Sequence, residues 1–331
     1  MEGRMLRNYE ALSNEVNLLG VIKARGVIGR YLNRTNLTYY SELSRLMGCD
    51  VYVKHENHNP TGSFKIRGAL NFIQHVSGEE LQSGVLVATR GNHGLAMACA
   101  GRWFDVPITV VVPEGNNPEI NRIVRSFGAE LIVHGDDFYE AQSYCDELVD
   151  SAGFYYVEQG NEPAILNGLG TMGLEIFEDL PDVDTIVCPI GGGAGCASLI
   201  KVAQALAPNV DIIGVQPEQA AAFHASWNQG ERVILESCAS VADGLAARSP
   251  FQLPYLIMKD HISDVVLVSE EEILEGIRLA LQMTHNLAEG AGAASIAGAL
   301  KISDRLAGKK VVVIMSGGNL DQEHLQLALG Q

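Results

Sequence analysis

Two hydrophobic periods alternate along this chain. Near its start, Leu12, Val16, Leu19 and Ile22 recur at helical spacing between Asn8 and Gly29, and the pattern fades over Gly26 to Gly29. Tyr39 to Met47 reads as a second helix, Val51-Tyr52-Val53-Lys54 as a short buried strand, and Ile66 to His75 as a helix. Short apolar runs then take turns with longer amphipathic ones. Strand Val85 to Ala88 leads to helix Gly94 to Phe104, strand Ile108 to Val112 to helix Ile120 to Phe127, and strand Glu130 to Val133 to helix Tyr139 to Ser151. A second series opens with strand Thr185 to Ile190, helix Ser198 to Ala207 and strand Asp211 to Val215. After a connection without period from Pro217 to Pro254 come strand Val265 to Val268, helices Glu270 to Leu281 and Ala293 to Ala299, and strand Lys310 to Met315. Strand–helix–strand units of this length predict right-handed crossovers and parallel sheets.

Composition narrows the class. The chain has 331 residues, 47% of them hydrophobic and 19% charged, enough for two domains sharing a cleft and suited to a well-packed soluble enzyme. A formal net charge of −17 argues against nucleic acid or an anionic membrane as partner, since both demand clustered Lys and Arg. An anionic ligand must therefore be held locally, by backbone amides and a few chosen side chains. Cys49, Cys99, Cys145, Cys188, Cys196 and Cys238 show no CxxC spacing and read as reduced, mostly buried thiols. With no apolar signal segment and no run of membrane-spanning length, the expected location is cytoplasmic.

The candidate chemistry sits where strands turn into helices. In Asn59-Pro60-Thr61-Gly62-Ser63-Phe64-Lys65, a lysine follows a Gly-Ser-Phe corner and opens a helix, so its amine can be desolvated and aimed. Such an amine becomes a nucleophile able to form a Schiff base; on its own, a lysine in this setting is by default an exposed cation. Pro189-Ile190-Gly191-Gly192-Gly193-Ala194-Gly195 lies between a buried strand and a helix, where converging N–H groups can cradle a phosphate. No Gly-Lys-Ser/Thr follows, and Cys196 stands where a dinucleotide fingerprint needs its third glycine. Thr89-Arg90-Gly91-Asn92-His93 gathers a hydroxyl, an amide and an imidazole at one helix start: a carboxylate site, or a plain helix cap. Ser316, in Met315-Ser316-Gly317-Gly318-Asn319, ends a buried strand at the crevice side of a parallel sheet, or is simply a serine in a turn.

Taken in order, these motifs resemble the fold-type II pyridoxal-phosphate enzymes, specifically the serine/threonine dehydratase and serine racemase family, from about Thr35 to the C-terminus. The resemblance implies an α/β fold of the tryptophan synthase β-like kind, with two open, twisted, mostly parallel sheets flanked by helices. It implies pyridoxal 5'-phosphate joined to Lys65, Phe64 against its ring, and Gly191, Gly192, Gly193, Ala194 and Gly195 around its phosphate. Asn92 is expected at the phenolic oxygen, Ser316 at the pyridine nitrogen and Glu289 near the ring. Ser63, Thr89, Arg90, Gly91, Asn92 and His93 are expected to hold the amino acid. The implied division is a large domain of residues 1–83 and 162–331 and a small mobile domain of 84–161, with a homodimer as the default assembly.

The implied reaction is elimination of water from a β-hydroxy-α-amino acid such as L-threonine or L-serine, giving a 2-oxo acid and ammonia. Lys65 would take the Cα proton, and the neutral Ser316 would leave the ring a weak electron sink, which favours elimination over racemisation. Departures from the family pattern keep other readings open. Arg90 stands where serine racemase has an acid/base serine, and a guanidinium does not give up its proton at neutral pH. It can instead grip a distal carboxylate or stack on an aromatic ring, which admits 3-hydroxyaspartate or 3-phenylserine as substrate. Gln216 and Ala222 replace the carboxylates of the family's divalent-metal site, so no metal is expected. Glu140 falls where serine racemase has a closing arginine. The chain stops soon after Ser316, so no C-terminal regulatory domain is expected. The rival activities are β-replacement and, from outside catalysis, a sensor that binds the cofactor or an amino acid.

Overall fold

The computed structural model describes residues 7–76, 78 and 83–330, so residues 1–6, 77 and 79–82 of the expected 1–83 segment, with Gln331, lie outside the described residues. The strands are β1 (Leu37–Tyr39), β2 (Asp50–His55), β3 (Val85–Ala88), β4 (Ile108–Val112), β5 (Glu130–Val133), β6 (Tyr155–Tyr156), β7 (Thr185–Pro189), β8 (Asp211–Pro217), β9 (Asp264–Val268) and β10 (Lys310–Met315). They form a six-stranded sheet in the order β1-β2-β10-β7-β8-β9 and a four-stranded sheet in the order β5-β4-β3-β6. Every pairing is parallel except β1 with β2. This is the expected architecture.

Strands β3 and β4 are buried along their whole length, the mark of parallel strands covered on both faces. Their side chains alternate between two cores: Val85 and Val87 join a large cluster that runs on to Ile186 and Leu199, while Leu86 and Ala88 face Ala141 and Cys145 on the other side. One core thus ties the two sheets together.

Register places the site. Val313 of β10 lies opposite Val53 of β2 and Val187 of β7, so the carboxyl ends of three parallel strands emerge side by side. The segments that follow them carry Lys65, Ser316 and the Gly191–Gly195 loop. Ligands of open α/β sheets bind at this edge.

Several sequence-based boundaries need correction. The Asn8 to Gly29 helix is two helices, Tyr9–Glu15 and Leu18–Ile28, because Asn17 Oδ1 accepts from Gly20 N at 3.0 Å and caps a new start. The Tyr39 to Met47 helix begins only at Ser41, since Leu37–Tyr39 pairs as an edge strand. The Pro217 to Pro254 connection contains the helix Ala222–Gln229 and the start of another, Gln252–Met258. The Glu270 to Leu281 helix runs regularly only to Leu279, then widens into a π turn over Ala280–Thr284.

The helix Pro163–Asp179 was not expected at all. It is buried from Ile165 to Phe177, and its polar row Asn167, Thr171 and Glu175 is buried with it rather than facing solvent. Its glycines serve packing: a Cβ on Gly168 would lie 2.5 Å from Arg67 O, and one on Gly68 would lie 2.8 Å from Ile165 Cγ2. The helix therefore packs backbone to backbone on Lys65–His75. Beside this contact lies a buried set of charges. Arg67 donates to Glu56 at 2.7 Å and to Glu175 at 2.7 Å, and Lys54 Nζ donates to Glu175 at 2.6 Å and to Thr35 O at 2.8 Å. Two cations face two carboxylates, and Thr35 and Asn59 add donors to Glu56.

Candidate active site

A cavity of about 430 Å3 opens between the carboxyl ends of the two sheets. Every residue expected to hold the cofactor or the amino acid lines it except Ser63. That volume suits a cofactor or a small ligand.

Lys65 is the first residue of the Lys65–His75 helix. The preceding turn is strapped to the end of β10: Phe64 N donates to Ser316 O at 3.1 Å, Gly318 N donates to Gly62 O at 2.9 Å, and Ser63 bridges Gly317. Gly62 can make this turn because its φ is +68°, where a side chain is strained. Ser63, held in the strap, is not among the residues that line the cavity. Lys65 opens only into the cavity, and burial lowers its pKa to about 8 against the opposing pull of Glu289. Its Nζ lies 5.0 Å from the centre of the Phe64 ring.

The glycine loop leaves β7 and enters the helix Ala194–Leu206. Side chains are excluded there. A Cβ on Gly191 would meet Gly244 O at 2.7 Å, one on Gly192 would meet the Phe251 ring at 2.3 Å, and Gly193 has a φ of +97°. Phe251 had no signal in the sequence, because it comes from the connection that looked formless.

The Thr89–His93 turn ends β3 and starts the helix Asn92–Phe104. Thr89 Oγ1 accepts from Gly91 N at 3.1 Å. Asn92 Nδ2 donates to Glu289 Oε1 at 2.7 Å, and Asn319 Nδ2 donates to Asn92 Oδ1 at 2.6 Å and to Thr61 O at 2.9 Å. Asn319 was visible in the Ser-Gly-Gly-Asn motif but had no role there. His93 is buried, and burial together with the charge of Lys65 lowers its pKa to about 3, so the imidazole is neutral. Burial raises the Glu289 pKa to about 7, although the amide of Asn92 favours the carboxylate.

Gln216 and Glu140 hold the backbone near them in place. Gln216 Nε2 donates to Ile190 O at 3.2 Å and Oε1 accepts from His224 N at 2.8 Å, so Gln216 braces the connection after β8. Glu140 Oε2 accepts from Asp136 N at 2.8 Å, capping its own helix outside the cavity lining.

The site is unfinished in a way that fits a cofactor. His93, which lines the cavity, has its Nε2 buried without a hydrogen-bond partner, which native proteins rarely tolerate unless something else supplies one. The close-packed glycine loop offers backbone N–H groups at a helix start, a fit for a phosphate. An amine poised opposite that loop fits an aldehyde.

Comparison with known proteins points the same way. A family model described as pyridoxal-phosphate dependent enzyme matches residues 28–317. The L-threonine ammonia-lyase of Thermotoga maritima is 38% identical over 306 residues, spanning 92% of this chain and 76% of its own. The catabolic L-threonine dehydratase of Escherichia coli is 33% identical over 314 residues, spanning 94% and 95%. Among solved structures, the processed threonine deaminase isoform 2 of Solanum lycopersicum superposes with a TM-score of 0.90 at 30% identity, covering 98% of this chain and 94% of that one. Maize serine racemase follows with a TM-score of 0.89 at 26% identity, covering 95% and 97%.

Proposed function

Because the chain belongs to the pyridoxal-phosphate dependent enzyme family, we propose that its cavity carries out α,β-elimination on a β-hydroxy-α-amino acid, as an ammonia-lyase of the threonine and serine type. The observation that carries this reading is the Lys65 amine, held at a pKa of about 8 and facing a cavity whose other wall is a glycine cradle. When bound, the cofactor supplies an electron-withdrawing ring that takes up the electron pair left at Cα.

The protein's own groups do the rest. Gly191, Gly192, Gly193, Ala194 and Gly195 hold the phosphate by backbone N–H groups, with Phe64 packed alongside. Asn92 addresses the ring oxygen. Ser316 would offer its hydroxyl to the ring nitrogen, a neutral partner that does not require that nitrogen to be protonated. The Thr89–His93 turn receives the substrate carboxylate on N–H groups and on the neutral His93. Lys65, neutral in a useful fraction near pH 8, would take the proton from Cα, and the β-hydroxyl would receive one proton in exchange and leave as water, the Cα–H and Cβ–O bonds breaking as the Cα–Cβ double bond forms. The unsaturated product hydrolyses in solution to a 2-oxo acid and ammonia. A guanidinium is no acid/base, so Arg90 does not supply the second proton-transfer group a racemase needs.

Residues 84–161 act as a small mobile unit against 1–83 and 162–331, and its closure brings the Thr89–His93 turn over the cofactor and excludes water. The chain works as a cytoplasmic homodimer, a reading supported by apolar Leu46 and Met283 in one surface hollow and open to light scattering. The function itself is tested by 2-oxo acid release from L-threonine and L-serine by the purified yellow protein. Turnover supports the reading; cofactor absorbance with no turnover of any β-hydroxy amino acid overturns it in favour of a binding role.

A further inference from the structure

The turn that is read above as the carboxylate site also projects a side chain with no evident employment. Arg90 lines the cavity, is exposed within it, and has no hydrogen-bond or ion-pair partner among the described residues. The other arginines of the cavity mouth are occupied. Arg232 donates to Gln252 Oε1 at 2.9 Å and to Pro250 O at 2.9 Å, and Arg248 stacks 4.9 Å from the centre of the Tyr139 ring.

Electrostatic neighbours show where Arg90 reaches. Lys65 feels Glu289, Glu289 feels Asp243, and Asp243 feels Arg90 on one side and His324 on the other. Arg90 also acts on Cys238. Arg90 shares its cavity with the wall of Val241, Asp243, Gly244, Leu245 and Ala246, and its guanidinium acts on that wall. The cofactor phosphate has its own cradle in the glycine loop, so a cation here serves another group. Asp243 does not close a salt bridge with Arg90, and a guanidinium fork presents five N–H donors, more than one carboxylate can occupy.

We propose that Arg90 is a specificity determinant that binds an anionic substituent on the substrate β-carbon, making a β-hydroxy amino acid with a second carboxylate, of the 3-hydroxyaspartate class, the preferred substrate. The inference rests on the elimination reading above. With its α-carboxylate on the Thr89–His93 turn and its Cα at Lys65, such a substrate directs its β-substituent toward the 238–246 wall. There a carboxylate meets a fork that suits it in plane and charge. The methyl of threonine or the hydrogen of serine leaves that fork in water, at no gain. Two charge-assisted hydrogen bonds gained by one substrate and not the other amount to about ten- to a hundred-fold in relative kcat/KM.

The test uses the holoenzyme and measures 2-oxo acid release from L-serine, L-threonine, L-threo-3-hydroxyaspartate and 3-phenylserine, in the parent and in Arg90→Ser and Arg90→Lys. The expected result is a preference for hydroxyaspartate over serine that falls about ten- to a hundred-fold in Arg90→Ser, mainly through KM, and falls less in Arg90→Lys. A second readout does not need turnover: the cofactor absorbance change titrated with L-aspartate and with L-alanine should show a preference for L-aspartate that Arg90→Ser removes. If the hydroxyaspartate-to-serine ratio and the aspartate-to-alanine ratio are both unmoved by Arg90→Ser, the proposal is wrong. A preference for 3-phenylserine that Arg90→Ser removes also overturns it, by showing that Arg90 stacks on a ring. Turnover of none of the four refutes the elimination reading instead, and the aspartate titration still decides the role of Arg90.

Discussion

Lys54 and Lys65 emerge from the same stretch of chain, and both sit inside the protein, but their surroundings are opposites. Around Lys54 each buried charge has an opposite charge within hydrogen-bond distance: Lys54 with Glu175, and Arg67 with Glu56 and Glu175. Around Lys65 the pairing is incomplete. Its amine is pushed down to about 8, Glu289 is pushed up to about 7, His93 is held neutral, and the buried His93 Nε2 lacks a partner. A satisfied polar cluster holds elements together; an unsatisfied one is kept open for a ligand and tuned for proton transfer. The two are joined through one helix, since Arg67 lies two residues into the helix that Lys65 begins. The finished cluster thus fixes the base of the unfinished one.

Substitutions on either side should separate these roles. Lys65→Ala is expected to abolish covalent cofactor attachment and to lower 2-oxo acid release by at least about a thousand-fold, the upper part of the range for removing a general base. The same change removes a cation whose charged form is disfavoured, so the urea midpoint of the cofactor-free protein should hold or rise. Arg67→Met is the mirror experiment. It leaves Glu56 buried without its cation and should cost about 3–5 kcal/mol of folding stability, read from urea unfolding of the same cofactor-free protein. If Lys65→Ala were the more destabilising of the two, the division into scaffold and site would fail.

Proton linkage gives a smaller and more specific contrast. An ordinary glutamate loses its proton near pH 4.5, whereas Glu289 in the folded chain keeps it to about 7. Between those values the folded state binds more protons than the unfolded one, so this group makes stability decline as pH rises from about 4.5 to about 7. His93 acts in the opposite sense between about 3 and 6.5, where the unfolded chain binds the extra proton. Parent and Glu289→Gln must therefore be compared at each pH. The variant should match the parent near pH 4.5 and exceed it at pH 8 by up to roughly 3 kcal/mol in the cofactor-free state. A constant difference across that range would show that the Glu289 proton is not held by the fold.

The contrast also explains what the sequence disclosed. Strands β3, β4, β7 and β10 are apolar runs that stop at Gly or Ser, and parallel strands covered on both faces have to look like that. The glycine loop and the Lys65 corner were legible because both demand backbone that few residues can adopt. The scaffold cluster was not legible. Arg67 reads as a surface cation on a helix, and its burial depends on Glu175, which belongs to a helix hidden by its own complete burial. Phe251 and Asp243, which shape the cavity wall, lie in a connection with no periodic signal. Ser63 was placed in the site by its neighbours in sequence, whereas the structure holds it in the strap to Gly317 and outside the cavity lining.

Asn319 belongs to neither extreme and tests where the boundary falls. Its Nδ2 is shared between Asn92 Oδ1 and Thr61 O, so it fixes the amide of Asn92 with the nitrogen toward Glu289. Asn319→Ala removes that donor and keeps the backbone N–H that Asn319 gives Glu289. Asn92 Oδ1 then has to find water or let its amide turn, a loss of about 1 kcal/mol, the net worth of an ordinary hydrogen bond. If Asn92 must present a fixed edge to the cofactor, that loss appears as about a five-fold weaker cofactor affinity, with kcat on bound cofactor little changed. Titration of the cofactor-free variant with pyridoxal 5'-phosphate, followed by absorbance, measures it. A defect approaching that of Lys65→Ala would move Asn319 into the reacting machinery. An unchanged affinity would mean that Glu289 alone orients Asn92, and that the chain of amides from Thr61 to Glu289 belongs with the scaffold.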